Sequence, residues 1–260
     1  MSVLGAAVLQ HHNSSSSAPA IRPVEGSAYA LADVVISDYD AAIVGMSAND
    51  DFAVSPAFLG WQGKGKRAFD ILVVLAAILF LAPLLTLVAV AIVFDSPGPV
   101  FFRQPREGKN GKSFVALKFR SMRHDRCDLS GVQQTVAGDS RVTKVGKILR
   151  RTSIDELPQL FNVLRGDMSL VGPRPHVSGM LAGGVSYREL VPYYDLRLLV
   201  TPGLTGWAQA NGFRGPTDDA KTARERIDHD LAYIRSFSLV LDIKVLLLTL
   251  QREVFGGTGH

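Results

Sequence analysis

Between Asp70 and Asp95 the chain carries 24 consecutive uncharged, mostly apolar residues, ILVVLAAILFLAPLLTLVAVAIVF, with Pro83 near the middle. At about 1.5 Å of rise per residue, such a run is long enough to cross a hydrocarbon core of about 30 Å as one helix. The pattern therefore predicts a membrane helix. Proline removes a backbone donor and clashes with the preceding turn, which predicts a kink or break at Ala82-Pro83. Basic residues stand on both sides of the run, Lys64, Lys66 and Arg67 before it and Arg103, Arg106 and Lys109 after it. Short basic flanks favour the cytoplasm. If both flanks obey, the helix enters, bends at Pro83 and returns to the same face; the competing reading is a single kinked span. Some seventy residues precede the run, which argues against a signal peptide.

Downstream the pattern changes. Ser96-Pro97-Gly98-Pro99 stops the helix. Val100–Arg103 and Ser113–Phe119 read as strands around a polar loop with Gly108, Asn110 and Gly111, a hairpin signal. Residues 124–140 read as a polar loop. From Arg141 onward Val142, Val145, Ile148 and Leu149 recur at helical spacing among Lys144, Lys147, Arg150 and Arg151. Ser153-Ile154-Asp155-Glu156 matches a capping box, with Ser153 as N-cap, ahead of the stripe Leu157, Leu160, Phe161 and Leu164. Thr201–Gly206 is turn-rich. Residues 218–236 predict a solvated helix that buries Ile227, Leu231 and Ile234, with His229 at the surface. Leu239–Phe255, interrupted by Asp242, Lys244 and Gln251-Arg252-Glu253, predicts an amphipathic helix lying on the bilayer or packing on the core.

Charge sharpens this picture. The first 60 residues hold one basic residue, Arg22, against six acids; with +4 overall, the remainder carries +9. A basic region beside a membrane helix suits anionic lipid head groups, phosphorylated lipids or nucleotides. No zinc-finger, RNP or leucine-zipper pattern supports a nucleic-acid partner. The first 60 residues, with a Ser14–Ser17 run and no sustained period, read as a disordered tail. The single cysteine, Cys127, rules out an internal disulfide and fits a reducing compartment. The 47% hydrophobic content is enough for a packed core.

Candidate chemistry centres on Asp155 and Glu156. Taken alone they are first-turn acids that complement a helix dipole. Their neighbours, Arg150 and Arg151 before and the proline-bracketed Arg174-Pro175 after, allow more. A carboxylate that attacks a phosphoryl group needs cations to hold the anionic substrate, and a divalent metal with hard oxygen ligands relieves the charge repulsion. Lys118, Arg120 and Arg123 in KFRSMR are either a solvated strand edge or a phosphate-binding rim. Trp207 reads as core or membrane-interface packing, and Arg214 as a substrate contact or a surface residue.

Several motifs in one order, KRAFD, the proline-bearing apolar helix, SPGPVFFRQPREGKNGKSFVALKFRSM, LRRTSIDELPQLFNVLRGDMSLVGPRP and PGLTGWAQANGFRG, resemble the bacterial monotopic phosphoglycosyl transferases, also called bacterial sugar transferases. The similarity covers about residues 64–253. It implies transfer of a sugar 1-phosphate from a UDP-sugar to undecaprenyl phosphate at the cytoplasmic face of the bacterial inner membrane, with release of UMP. It further implies Asp155 as nucleophile, Glu156 as its acidic partner, Mg²⁺ held by Asp155 and Glu156, and a re-entrant helix broken at Ala82-Pro83. The expected substrate-binding set is Lys118, Arg120, Arg150, Arg151, Arg174, Pro175, Gln209 and Arg214. Thr201, Phe213, Pro216 and Phe237 depart from the common pattern, and Thr201 removes one candidate phosphate contact.

The expected fold is α+β, mainly α: a disordered tail (1–60), a re-entrant membrane helix broken at a proline (61–98), and a cytosolic catalytic domain (99–260) with a small β-hairpin and amphipathic interfacial helices. The expected partners are a UDP-sugar, glucose ahead of galactose, undecaprenyl phosphate and membrane lipids, in the service of exopolysaccharide or capsule assembly; a homo-oligomer is compatible with the sequence. Two other classes compete. A non-enzymatic basic protein on the membrane surface, binding anionic lipid or a partner, explains the charge and the helix but not the grouping of acids, arginines and turns. A phosphatase using the same aspartate would release free sugar phosphate without lipid.

Overall fold

The apolar run folds as a single helix. In the computed structural model, which describes residues 52–126, 139–215 and 219–255, a short turn of helix, α1 (Pro56–Leu59), leads into the 35-residue α2 (Trp61–Asp95). The hairpin β1 (Phe101–Glu107) and β2 (Ser113–Phe119) follows. Next come α3 (Lys144–Arg151), a 3₁₀ turn at Ile154–Glu156, α4 (Gln159–Arg165) and β3 (Ser169–Val171). A small excursion, β4 (Leu181–Ala182), β5 (Val185–Ser186) and α5 (Tyr187–Leu190), precedes β6 (Gly203–Thr205). The helices α6 (Trp207–Ala210), α7 (Ala220–Arg235) and α8 (Leu239–Phe255) close the fold. The expected tail up to residue 51, Cys127 and Pro216 lie outside the described residues. The folded body nevertheless starts before residue 61: Phe52, Val54, Ala57 and Phe58 pack on the core, and the rings of Phe58 and Phe237 stack with centroids 3.9 Å apart.

Among the described residues α2 is the helix long and apolar enough to cross a membrane. Leu79, Phe80 and Phe94 are 79–86% exposed on it, which fits a lipid environment and not water. The helix continues through Pro83. The discontinuity expected at Ala82-Pro83 is thus one missing backbone donor inside a helix rather than a gap between two; Thr86 donates its hydroxyl to the Ala82 carbonyl nearby (2.9 Å).

Both ends of α2 are fixed to the same folded body. At the first end Lys66 and Arg67, expected as free basic flanks, are structural. Lys66 is buried and donates to Asp242 of α8 at 2.5 Å, while Asp70 accepts from Ser169 of β3 at 2.7 Å. Arg67 donates to the carbonyls of Val163 and Leu164, which end α4 (2.5 and 2.9 Å), a favourable place for a cation. At the other end Arg120 donates to the carbonyls of Ile92 (3.2 Å), Ser96 (2.6 Å) and Pro97, and Asp95 accepts from Val145 N–H at the start of α3 (3.2 Å).

The hairpin is longer than the alternation suggested, pairing antiparallel from Phe101↔Phe119 to Glu107↔Ser113. β3 and β6 pair in parallel, with Ser169 opposite Gly203 and Val171 opposite Thr205. A Cβ at Gly203 would run into the backbone of Gly172, so only glycine allows this approach. The core gathers on α7, where Ala223, Ile227, Leu231 and Ile234 are fully buried among Val74, Val163, Val171 and Trp207. The solvated helix expected at 218–236 is therefore a central one. Its buried Asp230 is compensated by Arg197 (2.7 Å). α8 is amphipathic as expected: Leu241, Asp242 and Val245 face the core, while Val240, Ile243, Leu247 and Leu250 stay 45–76% exposed.

Replacing Lys66 with Met leaves Asp242 and Asp70 buried without their cation. The expected cost is about 3–5 kcal/mol, the usual penalty for removing one partner of a buried pair. The double variant Lys66→Met/Asp242→Leu should recover most of it. Thermal unfolding of the variants in one detergent checks both; a single variant as stable as wild type would refute the assignment.

Candidate active site

Local backbone geometry sets the acid pair. The spacing Ser-x-x-Glu at 153–156 does not form a capping box: Ser153 is left-handed (φ 54°), its side chain caps nothing, and α4 begins after Pro158. A left-handed non-glycine residue costs about 1–3 kcal/mol and persists only where its surroundings impose it. Here it turns the chain out of α3 so that Asp155 and Glu156 project from a 3₁₀ turn toward the hairpin.

The two carboxylates then separate in role. Glu156 is clamped: one oxygen accepts from Lys118 Nζ (2.7 Å) and Arg174 Nη2 (2.5 Å), the other from Arg174 Nη1 (3.1 Å). Burial opposes its charge, but Arg174 and Lys118 outweigh burial and hold the carboxyl well below the ordinary range. Asp155 is also buried, yet among the described residues its side chain makes no hydrogen bond or ion pair. Burial pushes its carboxyl up, Lys118 pulls it down and Glu156 adds to the rise, leaving it at about 6. Neighbouring acids driven apart in this way are a recurring mark of assigned acid and base roles.

Both acids open onto a cavity of about 720 Å³. One wall is apolar, with Val73, Ala77 and Leu81 from α2 and Leu246 and Leu250 from α8. The remainder is cationic: eight Lys and Arg side chains line the cavity against three acids, Asp155, Glu156 and Glu253. Of the expected binding residues, Lys118, Arg120, Arg150, Arg174, Pro175, Gln209 and Arg214 all line it. Arg151 does not, being exposed at the end of α3. Arg120 also has a second role: its Nη atoms cap the end of α2, while its Nε has no partner among the described residues. Arg214 is paired with Glu253. Arg150 has no hydrogen bond or ion pair among the described residues and remains available to a ligand.

Three cavity residues were missed. Arg106 served only as a flanking charge, but it donates to the Pro175 carbonyl (3.1 Å) and to Gln104 (2.5 Å), and burial with Arg174 nearby lowers its pKa to about 10. Alternation carried to Glu107 would have found it, because in the observed register Phe102, Gln104 and Arg106 share a face with Lys118. His176 and Arg226 gave no comparable signal, since tertiary packing alone brings them to the cavity.

The donor set bears on the expected metal. Asp155 has oxygens to offer a magnesium ion, which commonly takes one or two carboxylates and completes its shell with phosphate and water. Glu156 Oε1 already accepts two hydrogen bonds and Oε2 one, and among the described residues no group of three or more His, Cys, Asp or Glu side chains could hold a metal.

Comparison with known proteins places this geometry. Residues 61–256 match the family model described as Bacterial sugar transferase. The chain is 56% identical over 194 residues to the exopolysaccharide production protein PSS of Rhizobium leguminosarum bv. phaseoli, covering 75% of this chain and 97% of that one. It is 53% identical over 195 residues to an undecaprenyl-phosphate glucose phosphotransferase of Komagataeibacter xylinus, covering 75% of this chain and 37% of the relative. It is 50% identical over 184 residues to the UDP-glucose:undecaprenyl-phosphate glucose-1-phosphate transferase of Escherichia coli K12, covering 71% and 39%. The chain thus spans nearly the whole of the first relative and less than half of the other two. With its apolar helix, hairpin and cationic cavity all inside the matched span, the chain belongs to the bacterial sugar transferase family.

Proposed function

We propose that this chain transfers a sugar 1-phosphate from a UDP-sugar to undecaprenyl phosphate through a covalent aspartyl intermediate, releasing UMP and starting the repeat unit of an exopolysaccharide or capsule. The observation that carries the reading is the division between the acids: Glu156 absorbs Arg174 and Lys118, while Asp155 stands unpaired among the described residues at the edge of a cationic cavity. An oxygen of the Asp155 carboxylate attacks the sugar-bearing phosphorus of the donor. The bond from that phosphorus to the bridging oxygen breaks, and UMP departs with the electron pair. A phosphate oxygen of the lipid then attacks the same phosphorus, the acyl phosphate bond breaks and the carboxylate is restored. Lys118, Arg150 and Arg174 hold the phosphoryl oxygens as charge moves between them. A magnesium ion on Asp155 and substrate phosphate oxygens would offset the repulsion between carboxylate and phosphate.

The apolar wall supports a lipid acceptor, since the chain beyond the phosphate can lie along α2 and α8. Attachment of both ends of α2 to one body supports a re-entrant helix, with the catalytic part on the cytoplasmic face where nucleotide sugars occur. Glucose is the first candidate sugar and galactose the second, the former in keeping with the names of two relatives.

Two measurements test this reading. Asp155→Asn, purified in nanodiscs with undecaprenyl phosphate and magnesium, should lower UMP release from the UDP-sugar by about a thousand-fold or more and abolish labelling by the sugar phosphate; turnover near wild type would remove Asp155 from the nucleophile role. The second is a pH profile. Since the Asp155 carboxyl sits at about 6 and only its ionised form attacks, kcat/KM for the UDP-sugar should be flat above pH 7 and fall about tenfold per unit below 6. The donor diphosphate does not titrate there, so a profile flat down to pH 4.5 would exclude Asp155 as the group observed.

A further inference from the structure

Among the described residues, five buried side-chain polar atoms lack a hydrogen-bond partner: Arg120 Nε, His176 Nε2, Gln209 Oε1, Arg214 Nε and Arg226 Nε. All five residues line the cavity that holds Asp155. Buried polar atoms are nearly always satisfied, so their concentration at one cavity points to a ligand that completes them. Arg120 and Arg214 have their Nη atoms engaged, the first by carbonyls at the end of α2 and the second by the carboxylate of Glu253, which offsets its charge. His176, Gln209 and Arg226 are left, and the mechanism above uses none of them.

Their chemistry is specific. Arg226, on α7, is 5% exposed and donates to the Gly215 carbonyl at 3.1 Å. No ion pair reaches it among the described residues, and the neighbouring acid on its own helix, Asp230, is held by Arg197 at 2.7 Å. A buried guanidinium without a counter-ion on a cavity wall is suited to an anion. His176 is 2% exposed, with Nδ1 3.0 Å from the Tyr194 hydroxyl. That hydroxyl accepts from Arg197 Nη1 (3.3 Å), and its one proton has two acceptors in reach, Glu107 Oε2 at 3.3 Å and His176 Nδ1 at 3.0 Å. The subsite requires the tautomer in which Nδ1 accepts from the hydroxyl and Nε2 carries the hydrogen. Burial, followed by Arg197 and Arg226, holds the imidazole well below its usual pKa, so it is a neutral donor. Gln209 Oε1, on α6 beside α7, is the opposite: an acceptor that requires a hydrogen. An ionised polyprenyl phosphate offers only acceptors. A nucleotide sugar offers phosphate oxygens and hydroxyl groups in one molecule.

We propose that Arg226, His176 and Gln209 form a subsite for the donor substrate, in which Arg226 and His176 Nε2 hydrogen-bond a phosphate oxygen of the nucleotide sugar and Gln209 accepts from one of its hydroxyls. This rests on the reading of the cavity as a UDP-sugar site. It places the donor on the α6–α7 side of the cavity, which Arg174 and Asp155 also line.

The test compares two replacements of His176 in the full chain in nanodiscs, with undecaprenyl phosphate and whichever of UDP-glucose or UDP-galactose yields UMP. His176→Gln keeps an N–H donor near Nε2 but loses the ring. His176→Phe keeps the ring packing on Tyr187 and Tyr194 but loses the donor. The expected KM for the UDP-sugar is within about threefold of wild type for Gln and raised about tenfold for Phe, with the KM for undecaprenyl phosphate within about twofold in both. Arg226→Gln should raise the same donor KM tenfold or more; if that variant does not fold, the His176 pair decides alone. The reverse order, Phe tolerated and Gln impaired, would show that the ring only packs and would overturn the proposal. A rise confined to the KM for undecaprenyl phosphate would also overturn it, by putting the acceptor there. Absence of UMP release from the wild-type protein would instead overturn the underlying reading, and this subsite with it.

Discussion

One constraint orders the rest of the molecule: a helix that is apolar through its middle is bound at both ends, by buried polar contacts, to the same folded body. Lys66, Arg67 and Asp70 fix the first end to α8, α4 and β3. Arg120 and Asp95 fix the second beside the hairpin and α3. Each contact takes a charge out of water, which is costly unless the partner is in place, so the attachments hold together or fail together. Both ends of the helix thus lie on one folded body, the observation on which the proposed re-entrant arrangement rests. Its exposed apolar flank lies on the same body as the exposed apolar flank of α8, and both helices also supply apolar lining to the cavity.

The reactive group depends on that placement through charge. Lys118 arrives from the hairpin that Arg120 ties to α2, and Arg174 from the loop after β3, which Asp70 ties to α2. Together they neutralise Glu156. Had Glu156 been unclamped, two adjacent carboxylates would have competed for the same cations, and neither would have kept a defined charge state. With Glu156 satisfied, Asp155 titrates against desolvation and residual attraction, which leaves it at about 6: ionised at neutral pH but not held in a salt bridge. A carboxylate in that condition has its lone pairs free, which is what the proposed nucleophile role requires.

What could be read from the chain was local, and what was misread was tertiary. The apolar run, the hairpin, the basic helix before the acids and the amphipathic last helix all follow from periodicity within a dozen or so neighbours. Ser153 and Glu156 fit a capping box letter for letter, yet Glu156 is claimed by Lys118 and Arg174, 38 and 18 residues away. Lys66 and Arg67 looked like a membrane-flanking cluster because nothing local shows that Asp242 waits 176 residues downstream. Residues 218–236 looked solvated because five charges in seven positions, 224–230, normally are; Arg197, 33 residues before Asp230, compensates one that is buried. The acid pair and most of its cations were legible as chemistry through resemblance to a family. Their division of labour was not, since it is a property of which cation reaches which oxygen.

The cavity gives the same logic a wider form. Eight cationic side chains around three acids repel one another in a partly desolvated space, so this wall is no device for holding the empty protein together. Arg197 and Asp230 show how the chain treats a buried cation whose role is structural: it supplies a carboxylate at 2.7 Å. Arg106, Arg150 and Arg226 receive none among the described residues, although all three line the cavity. These three therefore bring uncompensated positive charge to the cavity, beside Lys118 and Arg174, whose charge Glu156 offsets. Under the proposed function this is expected: a site that takes a sugar phosphate from a soluble donor and passes it to a lipid acceptor must leave positive charge uncompensated until each substrate arrives, and the apolar lining from α2 and α8 then offers the lipid acceptor a surface that the soluble donor does not need.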